Sequence, residues 1–359
     1  MSLLGLDIGT SGCKATVFST EGRVLAQASA EYPLHASPNG QSELDAELVW
    51  RKAAGCIRKA NKALEDDPVT AMALSVLGEA VVAVGEDGVA LAPSPVSFDG
   101  RAHAQARAMA DAFGAEAIYA TTGQPIHPMY SIHKIAWWRD ERPELFARAW
   151  KFLCFGDFLL AKLGLEPTID FSMAARTQAF DMNAKRWAPE ILEWAGVAAE
   201  RLATPAPAGT VVGTLPPSIA RGLGFLQPVQ AIVGGHDQPC GALGSGALGD
   251  GEAMLALGTT AVLVPALRAP LHALAADGFP CYPHVLPERW VTLAGTPSGG
   301  SLLRWYRDQF GDRELRVARK TGRSVYDVMM DLLSDGPGPL MLLPHFAGTE
   351  APYHNPDAR

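Results

Sequence analysis

The sequence predicts an α/β chain of two related domains, and three observations carry that reading. Residues 3–6 and 15–19 are apolar, β-branched or aromatic runs joined by a glycine turn, a strand–turn–strand unit. The same unit returns at residues 253–264, where Gly258-Thr259-Thr260 separates two apolar runs. Strand-like and helix-like patterns alternate between the two units, and 359 residues are ample for two domains. Two copies of one hairpin, far apart, suggest related domains facing a single ligand.

The opening unit, Asp7-Ile8-Gly9-Thr10-Ser11-Gly12-Cys13-Lys14, has the chemistry of a phosphate cradle. It joins strand to strand. A Walker loop or a dinucleotide fingerprint would join strand to helix, and the glycine spacing of neither is present. Gly9 and Gly12 are expected to adopt positive φ and admit a ligand closely. Successive N–H groups in such a turn form an anion-binding concavity. Thr10 and Ser11 add hydroxyl donors and Lys14 a cation. Asp7, ending the first strand, is a candidate ligand for Mg²⁺, which takes one or two carboxylates plus water and phosphate oxygens. An ordinary hairpin with a glycine turn is the alternative.

Composition narrows the class. The net charge of -8 argues against a general nucleic-acid binder. The start has no basic segment or cleavage site, and no apolar run approaches membrane-spanning length. Five scattered cysteines without a C-x-x-C pair indicate neither a disulfide framework nor a zinc site. Buried free thiols in a reducing cytoplasm are expected.

Along the chain, residues 24–32 read as a third strand. A helix is expected over 45–64, capped by Asp45, with Leu48, Ala53, Ile57 and Ala60 on its apolar face. Strands follow at 71–76 and 79–84, then a loop with a charged tip at 93–101. Helices are predicted at 102–113, 132–139, 143–150, from 156, and at 189–195. Residues 203–215, rich in Pro, Gly and Thr, read as a linker or a small β-element. A buried strand at 229–233 ends in Gly234-Gly235-His236-Asp237, where the glycines would let something large approach, and a small-residue helix follows. The domains are divided as 1–228 and 229–359. Asp237, after a strand and at a helix start, suits a general base that takes a proton from a hydroxyl attacking a phosphate. A helix cap is the plain alternative. His236 stays outside the catalytic set.

Taken in order, these motifs resemble the FGGY carbohydrate kinases of the actin-like, ribonuclease-H-like ATPase superfamily. Residues 7–14 are similar to their first phosphate motif, and Phe98-Asp99-Gly100-Arg101 to their sugar-site loop. Residues 129–141, with His133-Lys134-Ile135-Ala136-Trp137-Trp138, are close to the first family signature, departing from it at Trp138. Residues 234–238 resemble the catalytic Asp segment, 257–260 the second phosphate motif, and 343–353 the opening of the second signature. The resemblance implies ribonuclease-H-like domains around a cleft, and ATP·Mg²⁺-dependent phosphorylation of a ketose, polyol or related sugar with Asp237 as base. It implies nucleotide contacts at Asp7, Gly9, Thr10, Ser11, Lys14, Gly258, Thr259, Thr260, Gly299 and Gly300. It implies substrate contacts at Asp99, Gln238 and Glu79. Trp137, Trp138 and Trp305 are expected to pack in the core.

Two departures matter. The polar pair that usually reads sugar hydroxyls aligns with Ala80 and Val81, one place after Glu79. The family pattern also continues past Arg359, so the second domain is expected to be incomplete and to expose apolar surface. A non-enzymatic nucleotide-binding regulator, which Ala80 and Val81 favour, and an inactive fragment stand as alternatives. A homodimer is left open.

Overall fold

The structure is a computed structural model that describes residues 1–37, 40–64, 67–258, 260–334, 336, 338–346, 349, 351–353 and 358. Its first layer grows from the opening hairpin. Strands β1 (Ser2–Ile8), β2 (Gly12–Ser19) and β3 (Val24–Glu31) form an antiparallel meander. Leu4, Leu6 and Ile8 alternate inward and are fully buried, each stabilising the fold by about 1.5–3 kcal/mol. Helix α1 (Ala46–Lys62) begins where expected, with the Asp45 carboxylate accepting from Leu48 N–H at 2.9 Å. It packs on β2 and β3 through Val49, Ala53, Ile57 and Ala60.

Strand β4 (Val69–Val76) then pairs parallel to β1. Strands β5 (Val211–Thr214) and β6 (Gln230–His236) complete the sheet, in the order β5-β6-β4-β1-β2-β3 among the described residues. The Pro- and Gly-rich stretch at 203–215 therefore gives this layer a strand at Val211–Thr214, while Thr204–Ala206 pairs with Thr168–Asp170 outside it. β6 is parallel to β4 and belongs to the first sheet, although the sequence placed it after the division at 228. Ladder hydrogen bonds hold it there, so the first layer runs to residue 236. The predicted strand at 79–84 is only Val82–Val84, because the chain turns sharply at Glu79.

Helix α2 (Ser131–Glu141) packs among neighbouring helices, and the short α3 (Phe171–Ala175) packs on β6. Trp138 is buried there and stacks on Phe152 at 5.8 Å, while the half-buried Trp137 carries the Arg101 guanidinium at 4.9 Å.

Helix α4 (Asp237–Ser245) leaves the first sheet and crosses to the second. It ends at Gly246 in the left-handed conformation, φ 80°. Strands β7 (Ala253–Leu257), β8 (Ala261–Leu267), β9 (Cys281–Pro283), β10 (Trp290–Thr292) and β11 (Ala294–Thr296) make an antiparallel sheet. Helix α5 (Gly300–Phe310) follows. This half leaves Leu255, Leu257, Leu303, Tyr306 and Phe310 exposed. Trp305 is 37% exposed against Phe310 and Phe346, so it departs from the core role predicted for it.

Candidate active site

The parallel strands β1, β4 and β6 end side by side, Ile8 opposite Val76 and Val76 opposite His236. Such strand ends are where α/β sheets place their ligand chemistry. Asp7 stands there exposed, with Ser75 Oγ donating to its Oδ1 at 3.0 Å and Lys14 as its partner across the hairpin. The turn is closed by Gly9 N–H to Gly12 O at 2.9 Å. Beneath it, the buried Tyr32 hydroxyl lies 2.6 Å from Gly9 O and 2.9 Å from Gly12 O. Thr10 is half-buried, and Ser11 and Lys14 face solvent. Neither turn glycine has positive φ, contrary to expectation. Gly12 is required by crowding instead: a Cβ there would sit 2.8 Å from the Ala30 carbonyl oxygen.

The second hairpin is built alike. Gly258 N–H bonds Thr260 O at 2.9 Å, and Gly300 N–H bonds Gly258 O at 2.7 Å. A Cβ on Gly300 would meet Gly258 O at 2.6 Å, and one on Gly299 would meet the Thr260 carbonyl carbon at 2.5 Å. The fold thus brings Gly258, Thr260, Gly299 and Gly300 together at the start of α5. Thr259 lies outside the described residues.

Between the sheets stands Asp237. It is the first residue of α4, and His236 holds the cap position, so Asp237 is not the helix cap. Its side chain is 30% exposed, and Oδ1 lies 3.2 Å from His236 Nε2. Burial, then the charges of Glu79 and Asp7, push its carboxyl up to about 7. Burial and the Arg176 charge push the His236 imidazole well below its ordinary value, so that contact is not an ion pair. His236 Nδ1 meets the Tyr282 hydroxyl of β9 at 3.0 Å, tying the two sheets together beside the base. Gln238 is half-buried next to it. Gly234 and Gly235 admit the protein itself rather than a ligand: their Cβ positions fall 1.6 Å from Leu74 O and 2.4 Å from a Val285 methyl.

Glu79 is buried and ion-paired with buried Arg176. The guanidinium also donates from Nη1 to Gln124 Oε1 at 3.0 Å. It lies between the Tyr130 and Tyr282 rings, 5.1 and 5.3 Å from their centroids. Ala80 and Val81 are wholly buried, so the hydroxyl-reading pair expected at those positions is not formed by them. Asp99 is also internal. It accepts from Ser42 N–H at 2.6 Å and from Arg101 Nε at 2.6 Å, and Arg101 continues to Glu43 at 2.6 Å. The tip of that loop is folded inward, and Asp99 shapes the loop with both carboxylate oxygens.

Arg176, Gln124 and Tyr282 escaped the sequence reading. They sit in segments without motif spacing; the packing of α3 on β6 and of β9 on α3 brings Arg176 and Tyr282 together, and Arg176 draws in Gln124.

A sequence model of the N-terminal domain of the FGGY family of carbohydrate kinases matches residues 2–244. The chain belongs to that family and is a carbohydrate kinase, with ATP as the family's co-substrate. The chain is 29% identical to the gluconokinase of Bacillus subtilis (strain 168) over 360 aligned positions, covering 99% of this chain and 70% of the relative. It is 28% identical to an autoinducer-2 kinase of Klebsiella pneumoniae, over 93% of this chain and 64% of that one. A gluconate kinase from Lactobacillus acidophilus superposes with a TM-score of 0.88 at 24% identity, over 100% of this chain and 71% of that chain. The α/β, actin-like ATPase fold that the family resemblance implied is therefore the fold of this chain. No helix among the described residues is long and apolar enough to cross a membrane.

Proposed function

We propose that this chain transfers the γ-phosphate of Mg·ATP to a hydroxyl of a ketose, polyol or related sugar in the cytoplasm, with Asp237 as general base. One observation carries the reading. A carboxyl held near pH 7 stands where the strands bearing the first phosphate hairpin end, beside a buried polar cluster suited to an acceptor. A base is most effective when its pKa lies near the working pH.

In this reading Asp237 accepts the hydroxyl proton as the acceptor oxygen bonds to the γ-phosphorus and the bond to ADP breaks. The turn at Gly9 to Lys14 and the hairpin formed by Gly258, Thr260, Gly299 and Gly300 line the phosphates, with the Thr10, Ser11 and Thr260 hydroxyls as donors, and Lys14 neutralises charge. Asp7 suits Mg²⁺: it is an exposed carboxylate with one oxygen fixed by Ser75, and a phosphate-borne ion needs few protein donors. When bound, the ion would offset phosphate charge. Glu79, with Arg176 and Gln124 behind it, and Gln238 read the acceptor hydroxyls. The relatives named for gluconate and for autoinducer-2 set the range of acceptors to try.

The regulator alternative drew its support from Ala80 and Val81. Both are core residues, and the polar residue at this turn is Glu79. The test is Asp237→Asn. It should keep ATP binding and lose roughly 10²–10⁴ in turnover, the usual worth of a general base. Unchanged turnover would remove Asp237 from the role.

A further inference from the structure

The segment that resembles the first family signature does nothing in the mechanism above. Its first turn nevertheless meets Glu79 directly. Glu79 has φ 60°, a left-handed conformation in a residue that is neither Gly nor Asn. Ala80 N–H bonds Gly78 O at 2.7 Å across it, which makes a γ-turn of the strained kind. Two side chains hold the tip. Ser131 Oγ donates to the Glu79 carbonyl at 3.0 Å, and Lys134 Nζ donates to the same oxygen at 2.9 Å and to Met129 O at 2.6 Å. Ser131 and Lys134 are wholly buried and lie three residues apart on one face of α2. The flanking Gly78 leaves room for His236, whose Nε2 lies 2.8 Å from where a Cβ would be. The turn is therefore seated against the neighbour of the base.

We propose that Ser131 and Lys134 are positioning residues that clamp Glu79 in this strained turn, so that its carboxylate presents to the acceptor hydroxyls from its pairing with Arg176. This rests on the kinase reading above and assigns the signature segment a part in acceptor recognition. A strained turn persists only where its surroundings over-determine it, and here two donors converge on one carbonyl. Without them the turn relaxes and the carboxylate swings off its aim.

The experiment is a double-mutant cycle on the full chain, comparing Ser131→Ala and Lys134→Met in the Glu79 chain and in a Glu79→Gly chain. Glycine holds positive φ without help and has no carboxylate to aim. In the Glu79 chain Lys134→Met should raise the acceptor KM about tenfold, the worth of one lost charge-assisted contact, and Ser131→Ala about threefold, the worth of a neutral one, with the ATP KM unchanged. In the Glu79→Gly chain the same changes should add nothing. Hydrogen exchange of the Ala80 amide, without substrates, should speed up in the first background only. Equal effects in both backgrounds, or an unmoved acceptor KM, would overturn the clamp. If the wild-type chain phosphorylates no acceptor, the kinase reading fails separately, and the exchange measurement alone decides the clamp.

Discussion

Asp237 shows how one residue's environment sets its chemistry. Its carboxyl is raised to about 7 by burial and by two neighbouring carboxylates, so the basic form grows as pH rises through 7. Turnover should therefore climb between pH 6 and 8 and level off above. A rate flat over that range would contradict the assignment. Asp157 offers a second test at this scale. It is buried, accepts from Cys154 N–H at 2.8 Å, and burial pushes its carboxyl up to about 8. A folded pKa above the unfolded value stabilises the fold at low pH, and that contribution is lost as pH rises through the folded value. Asp157→Asn should accordingly become more stable relative to the wild type as pH goes from 4 to 8. Urea unfolding at pH 5 and pH 8 checks the sign, and a difference of opposite slope would refute it. The Asp237 motif was legible because it sits between a strand and a helix. Arg176 was not, since its importance comes from burial between two tyrosines distant in sequence.

The hairpins are the elements on which the account turns, and both were legible from short apolar runs flanking glycine turns. The reason for the glycines was not. For Gly9 and Gly12 the sequence suggested positive φ, which neither adopts; Gly12, like Gly300 in the second hairpin, is needed because another carbonyl occupies the space of a side chain. Crowding of that kind is a tertiary fact. Gly258 differs, since its Cβ would meet nothing closer than Thr260 O at 3.9 Å. Gly258→Val should therefore fold normally and weaken ATP binding, as the side chain enters the space left for phosphate; wild-type affinity in a direct binding titration would speak against that. Gly234 predicts the reverse. A Cβ would overlap the Leu74 backbone, so Gly234→Ala should cost several kcal/mol, in the range of severe overpacking. A melting temperature close to wild type would show that β6 can shift.

At the scale of the molecule, the alternation of strands and helices and the repeat of one hairpin were enough to give the class of fold. The join between the layers was not. A break near residue 228 looked natural because a buried strand followed a Pro- and Gly-rich stretch. Yet the ladder with β4 keeps that strand in the first sheet, and helix α4 makes the crossing. Asp237 therefore stands at the junction itself, with one sheet behind it and Tyr282 of the other sheet at its side. The measurement that bears most directly on this arrangement is ADP release from Mg·ATP across a panel of ketoses, aldoses, polyols and sugar acids, with Asp237→Asn run in parallel. Release that depends on one class of acceptor and is lost in the variant is the expected result. Release indifferent to every acceptor, or equal in the variant, would contradict an acceptor kinase built around Asp237.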